Sequence, residues 1–346
     1  MTGIPSKPTL KDVAKLAGVG TATVERALNG RGNVRPQTLQ KIAIAARQLH
    51  YGRLLPLERH GIIRINVILV RPETLFFSRL NRAFERIAAL LDKEIVIQRM
   101  FVSENDGPEI ARKICSPDSH HSAVILVAPG HSEVKRAMRE VAALGLPIIQ
   151  IVGHTVSELP YVGIDNYAAG RTAALFSLNM TSHKQGTFIA FCHSGAYEHH
   201  KQRIKGFSDY FEEFGNRKQC FREVMFDQDD EQQGQHLITR ALSTYSDLAG
   251  IYTAGGDSRA IGVALRKQAA RKPFWVGHEL SPETELFLRE RIMNIVIDQA
   301  PEIQARRAID LVLHKLGIIQ IPTSSESTYF NIITPENIFS ASKMLG

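Results

Sequence analysis

The 346-residue sequence predicts an all-α helix-turn-helix head joined to an α/β body built from two doubly wound parallel sheets. Three observations lead to that class. Positive charge is concentrated in the first sixth of the chain, three short apolar stripes of helical period lie in the same segment, and strand and helix patterns alternate throughout the rest. The predicted domains are 1–61 for the head and hinge and 62–346 for the body. Within the body a first lobe covers 62–162 and 293–322, and a second covers 163–292 and 323–346.

Residues 1–61 hold ten of the 42 basic side chains and three of the 35 acidic ones, so the rest of the chain balances at 32 of each sign. Lysines and arginines facing phosphates gain free energy by releasing counterions, so this asymmetry points to nucleic acid, with an untargeted solvated surface as the bland alternative. Hydrophobic residues at 44% and charged residues at 22% fit ordinary folded cores. No secretory signal pattern opens the sequence and no apolar run approaches the roughly 18 residues of a membrane span, so a cytoplasmic protein without membrane partners is expected. Cys115, Cys192 and Cys220 are odd in number and unpaired in spacing, and are expected to be buried free thiols.

The first helix opens at Thr9, a suitable N-cap, with Asp12 at the third helical position, where a carboxylate complements exposed amides. Leu10, Val13, Leu16 and Ala17 form its apolar stripe and Gly18 its stop. After a tight Gly18-Val19-Gly20 turn the format repeats, with Val24, Ala27 and Leu28 inward and Thr21, Ala22, Arg26 and Asn29 outward. A third helix starts near Pro36 and buries Leu39, Ile42, Ala43, Ala46 and Leu49.

The run from Thr9 to Val19, followed by Ala22-Thr23-Val24 and Ala27-Leu28-Asn29-Gly30, resembles the amino-terminal module of the lactose-repressor (LacI/GalR) family of bacterial regulators. That resemblance implies a second helix in the DNA major groove, a hinge leucine in the minor groove, and a homodimer on a near-palindromic double-stranded operator. Thr21, Ala22 and Arg26 would then face base edges, with Arg26 placed for guanine or, in the plainer alternative, for a phosphate alone. Leu10 would belong to the same interface, and Thr9, Thr23, Asn29 and Asn33 would hold phosphates and set register. Leu55 or Leu57 would be the hinge wedge, or would simply pack the linker. The chain departs from the pattern at Gly20, where a serine usually caps the helix, at Glu25, and in a shortened hinge from His50 to Gly61.

From Ile62 onward the predicted strands are Arg64 to Val70, Glu94 to Val102, Ser122 to Val127, Pro147 to Val152, Gly186 to Phe191, Cys220 to Phe226, Gly250 to Thr253, Phe274 to Gly277 and Met293 to Asp298. Helices are predicted between them, among them Ser78 to Leu91, Gln202 to Phe214 and Ile303 to Leu316. Near-continuous apolar strands separated by amphipathic helices mean parallel sheets covered on both faces. This body resembles the periplasmic sugar-binding-protein fold (type I) that the same family carries, which implies an effector between two lobes beyond the carboxyl ends of the strands.

The same resemblance supplies candidate ligand residues: Phe76 and Phe77 for stacking on a sugar face, Arg203, Asp257, Glu279 and Gln299 for polar contacts. Each has a structural alternative. The phenylalanines could be core, Arg203 an ion-pair partner and Asp257 a helix N-cap. Asp165 and Asn166 look like the crossover between lobes. One arginine against two carboxylates favours a neutral sugar, polyol or mildly cationic derivative over a sugar phosphate.

Catalytic and cofactor readings have little support. His193-Ser194 is adjacent rather than arranged as base and nucleophile, no nucleophile elbow or phosphate-binding loop occurs, and no cofactor is expected. The pairs His120-His121 and His199-His200 lack the spacing for one helical face to present both to a metal, and are expected in solvated loops. The sequence therefore reads as a transcriptional regulator, a repressor by family precedent, rather than an enzyme, with a solute-binding subunit of a sugar importer as the alternative. The absence of a leucine heptad near the carboxyl terminus favours a dimer over a tetramer.

Overall fold

The computed structural model describes residues 8–28, 34, 36–49, 51, 62–115, 121–182, 185–215, 218–228, 230–256, 258–268, 272–319 and 327–338. The head contains α1 (Leu10–Ala17), α2 (Thr21–Leu28) and α3 (Pro36–Gln48). Asp12 accepts hydrogen bonds from the Thr9 backbone N–H at 2.7 Å and the Thr9 hydroxyl at 2.6 Å, which fixes the start of α1. Gly18 ends it with φ 65°, a left-handed conformation that glycine adopts without strain.

Val13, Ala14, Ala17, Val24, Ala27, Leu28, Ile42, Ala45 and Ala46 form one small core. Leu16 is a correction, since it is half exposed and Ala14 takes its place. At 100° per residue the Leu10–Ala17 line runs over Val13 and Ala14, and Leu16 falls off its edge. Leu39 and Leu49 flank the core half-buried, and the Ala43 side chain lies outside the described residues.

The first lobe contains β1 (Ile63–Val70), α4 (Leu75–Leu90), β2 (Ile95–Val102), α5 (Gly107–Cys115), β3 (Ala123–Leu126), α6 (Ser132–Ala143), β4 (Ile148–Ile151) and β5 (Tyr161–Val162). Its sheet runs β2-β1-β3-β4-β5, all parallel. The second lobe contains α7 (Asn166–Met180), β6 (Gly186–Cys192), α8 (Glu198–Phe214), β7 (Gln219–Phe226), α9 (Glu231–Thr244), β8 (Leu248–Thr253), α10 (Ser258–Arg266), β9 (Phe274–His278), α11 (Pro282–Arg289) and β10 (Ile295–Asp298). The chain then forms α12 (Pro301–Lys315) and β11 (Asn331–Ile333). The second sheet runs β11-β10-β9-β8-β6-β7, parallel except for β11. Central strands such as β3 and β6 are buried along their whole length, as helices on both faces require.

The predicted lobe boundary at 293 needs correction. Strand β10 pairs in parallel with β9 and so completes the second sheet, whereas only the helix after it returns to the first lobe. There Ala305, Ala308, Ile309 and Val312 of α12 join the first-lobe core. The apolar run Ile295-Val296-Ile297 suits either sheet, so its pattern alone does not choose the partner. The chain thus passes between lobes three times, at 162–166, at 298–301 and after α12. The first and third passes touch where the Thr328 N–H donates to the Gly163 carbonyl at 2.6 Å.

Candidate functional site

The outer face of α2 presents Thr21, Ala22, Glu25 and Arg26 to solvent, with Thr23 half-buried beside them. The buried residues of this helix are those that the sequence pattern assigns inward. The Arg26 guanidinium lies along its own helix, its Nε donating to the Ala22 carbonyl at 3.3 Å and Nη2 to the Thr23 hydroxyl at 3.4 Å. Thr9 is exposed, while Leu10 packs half-buried against the head core. In place of a serine cap, the Gly20 carbonyl accepts from Thr23 N–H at 2.9 Å and Val24 N–H at 3.2 Å. Asn29, Asn33, Leu55 and Leu57 lie outside the described residues.

In the body, backbone strain gathers at the carboxyl ends of strands. Arg71 follows β1 with φ 52°, Val152 follows β4 with φ 72°, Gln228 lies beyond β7 with φ 55°, Glu279 follows β9 with φ 67° and Ala300 lies beyond β10 with φ 49°. Left-handed conformations cost a non-glycine residue free energy, most of all a β-branched one, and such positions concentrate at binding sites. The two lobes meet at such strand ends, where Glu104 beyond β2 reaches His193 beyond β6 at 3.2 Å.

Arg203, 2% exposed on α8, is the centre of the second-lobe wall. Its Nε donates to Asn166 Oδ1 at 2.8 Å and its Nη1 to the Ala254 carbonyl at 2.7 Å. Nη2 has no hydrogen-bond partner among the described residues. Asn166 opens α7 at the first pass between lobes, so Arg203 ties the wall of the cleft to the crossover. The Glu279 Oε1 accepts from the Gln299 amide, while Glu279 Oε2 and Gln299 Oε1 are shielded from solvent and have no hydrogen-bond partner among the described residues. Burial, then the neighbouring Asp298 charge, pushes the Glu279 carboxyl up to about 7. Three sequence-predicted ligand residues, Arg203, Glu279 and Gln299, therefore share one buried polar region.

The other candidates divide. Phe77 is 6% exposed within the first-lobe core, a correction to its expected stacking role. One residue further along the helix turns its ring about 100° toward the sheet, leaving the half-buried Phe76 edge-on to it at 5.1 Å. Asp257 lies outside the described residues.

Among the residues around the cleft, Glu104, His199, His200 and Tyr252 escaped the sequence reading, whereas His193 and His278 were expected there. Helix α8 begins at Glu198, four residues before its expected start, so His199 and His200 are buried in its first turn rather than solvated in a loop. Burial and then the positive charge of Arg203 hold His200 and His278 well below the ordinary histidine range. For His199 the causes are burial, the His200 ring and Arg203, in that order. The Tyr252 hydroxyl meets His278 Nε2 at 2.9 Å. From the opposite lobe Glu104 lies 3.2 Å from His193 Nε2 and accepts from the Tyr197 hydroxyl. Burial opposes its charge, but these two hydrogen bonds and Arg71 hold it below the usual carboxylate range.

Near the second pass, Arg79 of α4 is buried and donates to Asp298 at 2.6 Å, to Glu302 at 3.0 Å and to the Leu280 carbonyl at 3.0 Å. Alternation gives no sign of Arg79, because an arginine on the apolar face of a helix reads as an error in the stripe. Of the cysteines, Cys192 is buried as expected, Cys220 is half-buried and Cys115 is exposed, a correction to its expected burial. No group of three or more histidine, cysteine or acidic side chains among the described residues has metal-binding geometry, and no described helix is long and apolar enough to cross a membrane.

Comparison with known proteins returns both halves of this architecture. A family model described as bacterial regulatory proteins, lacI family, matches residues 9–53, and one described as a periplasmic binding protein domain matches residues 65–317. The sucrose operon repressor of Pediococcus pentosaceus is 29% identical over 198 residues, 55% of this chain and 57% of that protein. Catabolite control protein A of Priestia megaterium is 25% identical over 214 residues, 60% of this chain and 62% of that protein. The matches thus span less than two thirds of these relatives. Among solved structures, a solute-binding protein from Actinobacillus succinogenes with bound D-allose superposes with TM-score 0.70 at 18% identity, covering 80% of this chain and 99% of that one. One from Burkholderia graminis in complex with D-arabinose gives 0.68 at 18% identity, covering 81% and 98%. At these identities the structural likeness establishes the fold.

Proposed function

The chain belongs to the lacI family of bacterial regulatory proteins with a periplasmic-binding-protein-like body, and from that premise we propose that it is a cytoplasmic repressor with no enzymatic activity. It binds a near-palindromic operator as a homodimer and changes its affinity when a neutral sugar, polyol or mildly cationic derivative enters the cleft. The observation that carries this reading is the joining of an exposed α2 face, on a head with ten basic and three acidic side chains, to a body whose buried polar atoms Arg203 Nη2, Glu279 Oε2 and Gln299 Oε1 lack partners among the described residues. An importer subunit has no use for the first of these.

On the DNA side, Thr21, Ala22 and Arg26 read base edges, with Leu10 at the same interface. Thr9, Thr23, Asn29 and Asn33 hold the backbone, and Leu55 enters the minor groove at the hinge. In the cleft, Arg203 Nη2 donates to a ligand oxygen, and Glu279 Oε2 and Gln299 Oε1 accept hydroxyl protons. Asp257 adds a further acceptor and Phe76 an apolar face. The mixture of one donor cation and several acceptors suits a ring carrying adjacent hydroxyls, each of which is both donor and acceptor. Closing the lobes around it shifts the first lobe, to which the head is tethered, and so couples cleft occupancy to operator affinity.

Genome-wide mapping of bound sites, followed by titration of sugars and polyols against the protein on the recovered operator, tests the whole reading. Discrete palindromic sites and a saturable change in affinity with one compound are expected. Equal binding to all DNA sequences would overturn the regulator reading, and silence across a broad panel would overturn the effector class.

A further inference from the structure

A second pocket opens on the flank of the second lobe, between α8 and the edge strand β7, with a volume of about 460 Å³. That size lies within the range of roughly 300–1,000 Å³ found for small-molecule sites. Its floor is apolar, made of Phe221, Val224 and Phe226 from β7 with Ile204 from α8. A register shift beside Phe188 and Ile189, opposite the Phe221 to Glu223 stretch of β7, lets Phe221, Val224 and Phe226 contribute to one wall. Phe226 is 43% exposed, so a large aromatic face is open here.

The rim is cationic. Lys205 meets Asp209 at 2.5 Å, and the Tyr167 hydroxyl donates to the same carboxylate at 2.8 Å, so the acidic group of the rim is already satisfied. Lys201, one helical turn earlier, is exposed and lines the same pocket, and its ammonium makes no hydrogen bond or ion pair among the described residues. Apolar floor and unmatched ammonium together call for a ligand with an apolar body and one negative end.

The inner wall is His200, whose Nδ1 lies 3.3 Å from the Ser194 carbonyl. Its other side abuts Gly255 beyond β8, where any Cβ would lie 2.4 Å from the imidazole. The pocket is therefore separated from the interlobe cleft by one side chain, and a compound bound here is distinct from the effector.

We propose that this flank pocket binds an amphipathic organic monoanion, an aromatic or branched aliphatic carboxylate. The apolar body rests on Phe221, Val224 and Phe226, and the carboxylate meets Lys201 at the rim. The proposal goes beyond the sugar-responsive reading and does not require it.

Calorimetric titration of the full chain with 4-tert-butylbenzoate and with its uncharged amide tests this. Saturable binding of the acid is expected, with the amide bound more weakly. Lys201→Gln should weaken the acid by about fivefold, the upper range for an exposed ion pair, and leave the amide unchanged. Ser208→Trp, which fills the pocket from a half-buried helix position, should abolish binding of both while the melting temperature holds. No saturable binding of the acid, equal affinity for acid and amide, indifference to Lys201→Gln, or undiminished binding by a folded Ser208→Trp protein would each overturn the proposal.

Discussion

Arg79 of the first lobe and Asp298 of the second form an ion pair of 2.6 Å in which both side chains are less than 5% exposed. Asp298 also accepts from the Leu280 N–H at 3.0 Å and the Ala300 N–H at 3.1 Å. One carboxylate thus fixes the end of β10, the loop after β9 and the helix α4 of the other lobe. Its position three residues before α12 makes it a brace at the pivot rather than a ligand group.

Removing one partner of a buried pair strands the other charge, at a cost of about 3–5 kcal/mol. Arg79→Ala should lose stability of that order in urea unfolding. The double variant Arg79→Met with Asp298→Asn should recover part of it, because the stranded anion is gone. A loss below about 1 kcal/mol in the single variant would show that the pair is solvated in solution.

Arg26→Ala should weaken operator binding by about 1–3 kcal/mol and relax base preference at one position of each half-site. Fluorescence anisotropy on operators substituted at each position checks this. A uniform loss across all sequences would instead identify Arg26 as a phosphate contact.

Acid should destabilise the body below pH 6.5. His199, His200 and His278 have folded pKa values well below 6.5, so as pH falls the unfolded chain takes up protons that the native state refuses. Their stabilising contribution is complete above 6.5 and declines beneath it. Glu279 acts with the opposite sign: its folded value of about 7 lies above the unfolded one, so its contribution is present at low pH and is lost as pH rises toward 7. Three groups outweigh one, so net stability falls on acidification, as urea midpoints measured from pH 5 to 8 would show. His278→Phe should reduce the slope.

Glu279 also sets the pH dependence of the effector. A hydroxyl donated to its Oε2 favours the ionised carboxylate, so binding should release a proton near neutrality and tighten as pH rises from 6 to 8. Calorimetry in buffers of different ionisation enthalpy measures that proton, and Glu279→Gln should abolish its release.

The α/β alternation was legible because strands buried on both faces are apolar throughout and helices are striped, patterns set by the residues themselves. The boundaries of β1 and β6 accordingly lie within a residue of expectation. Strands β5 and β11, two and three residues long, are too short to show a period. The partner of β10 was not legible, since pairing depends on chain direction in space rather than on Ile295-Val296-Ile297. In the cleft, Arg203, Glu279 and Gln299 stood out because they follow strands or match a motif. His199 and His200 did not, because the earlier start of α8, which buries them, rests on tertiary packing that outweighs the polar character of Glu198 to Lys201.

The three passes between lobes also govern biosynthesis. The first lobe lacks part of its interior until Val312 of α12 has left the ribosome, and the second lacks part of its own until Ile333 and Ile338 have followed. Neither half closes its core early, so a message truncated near codon 290 yields two unfinished lobes rather than one finished and one missing.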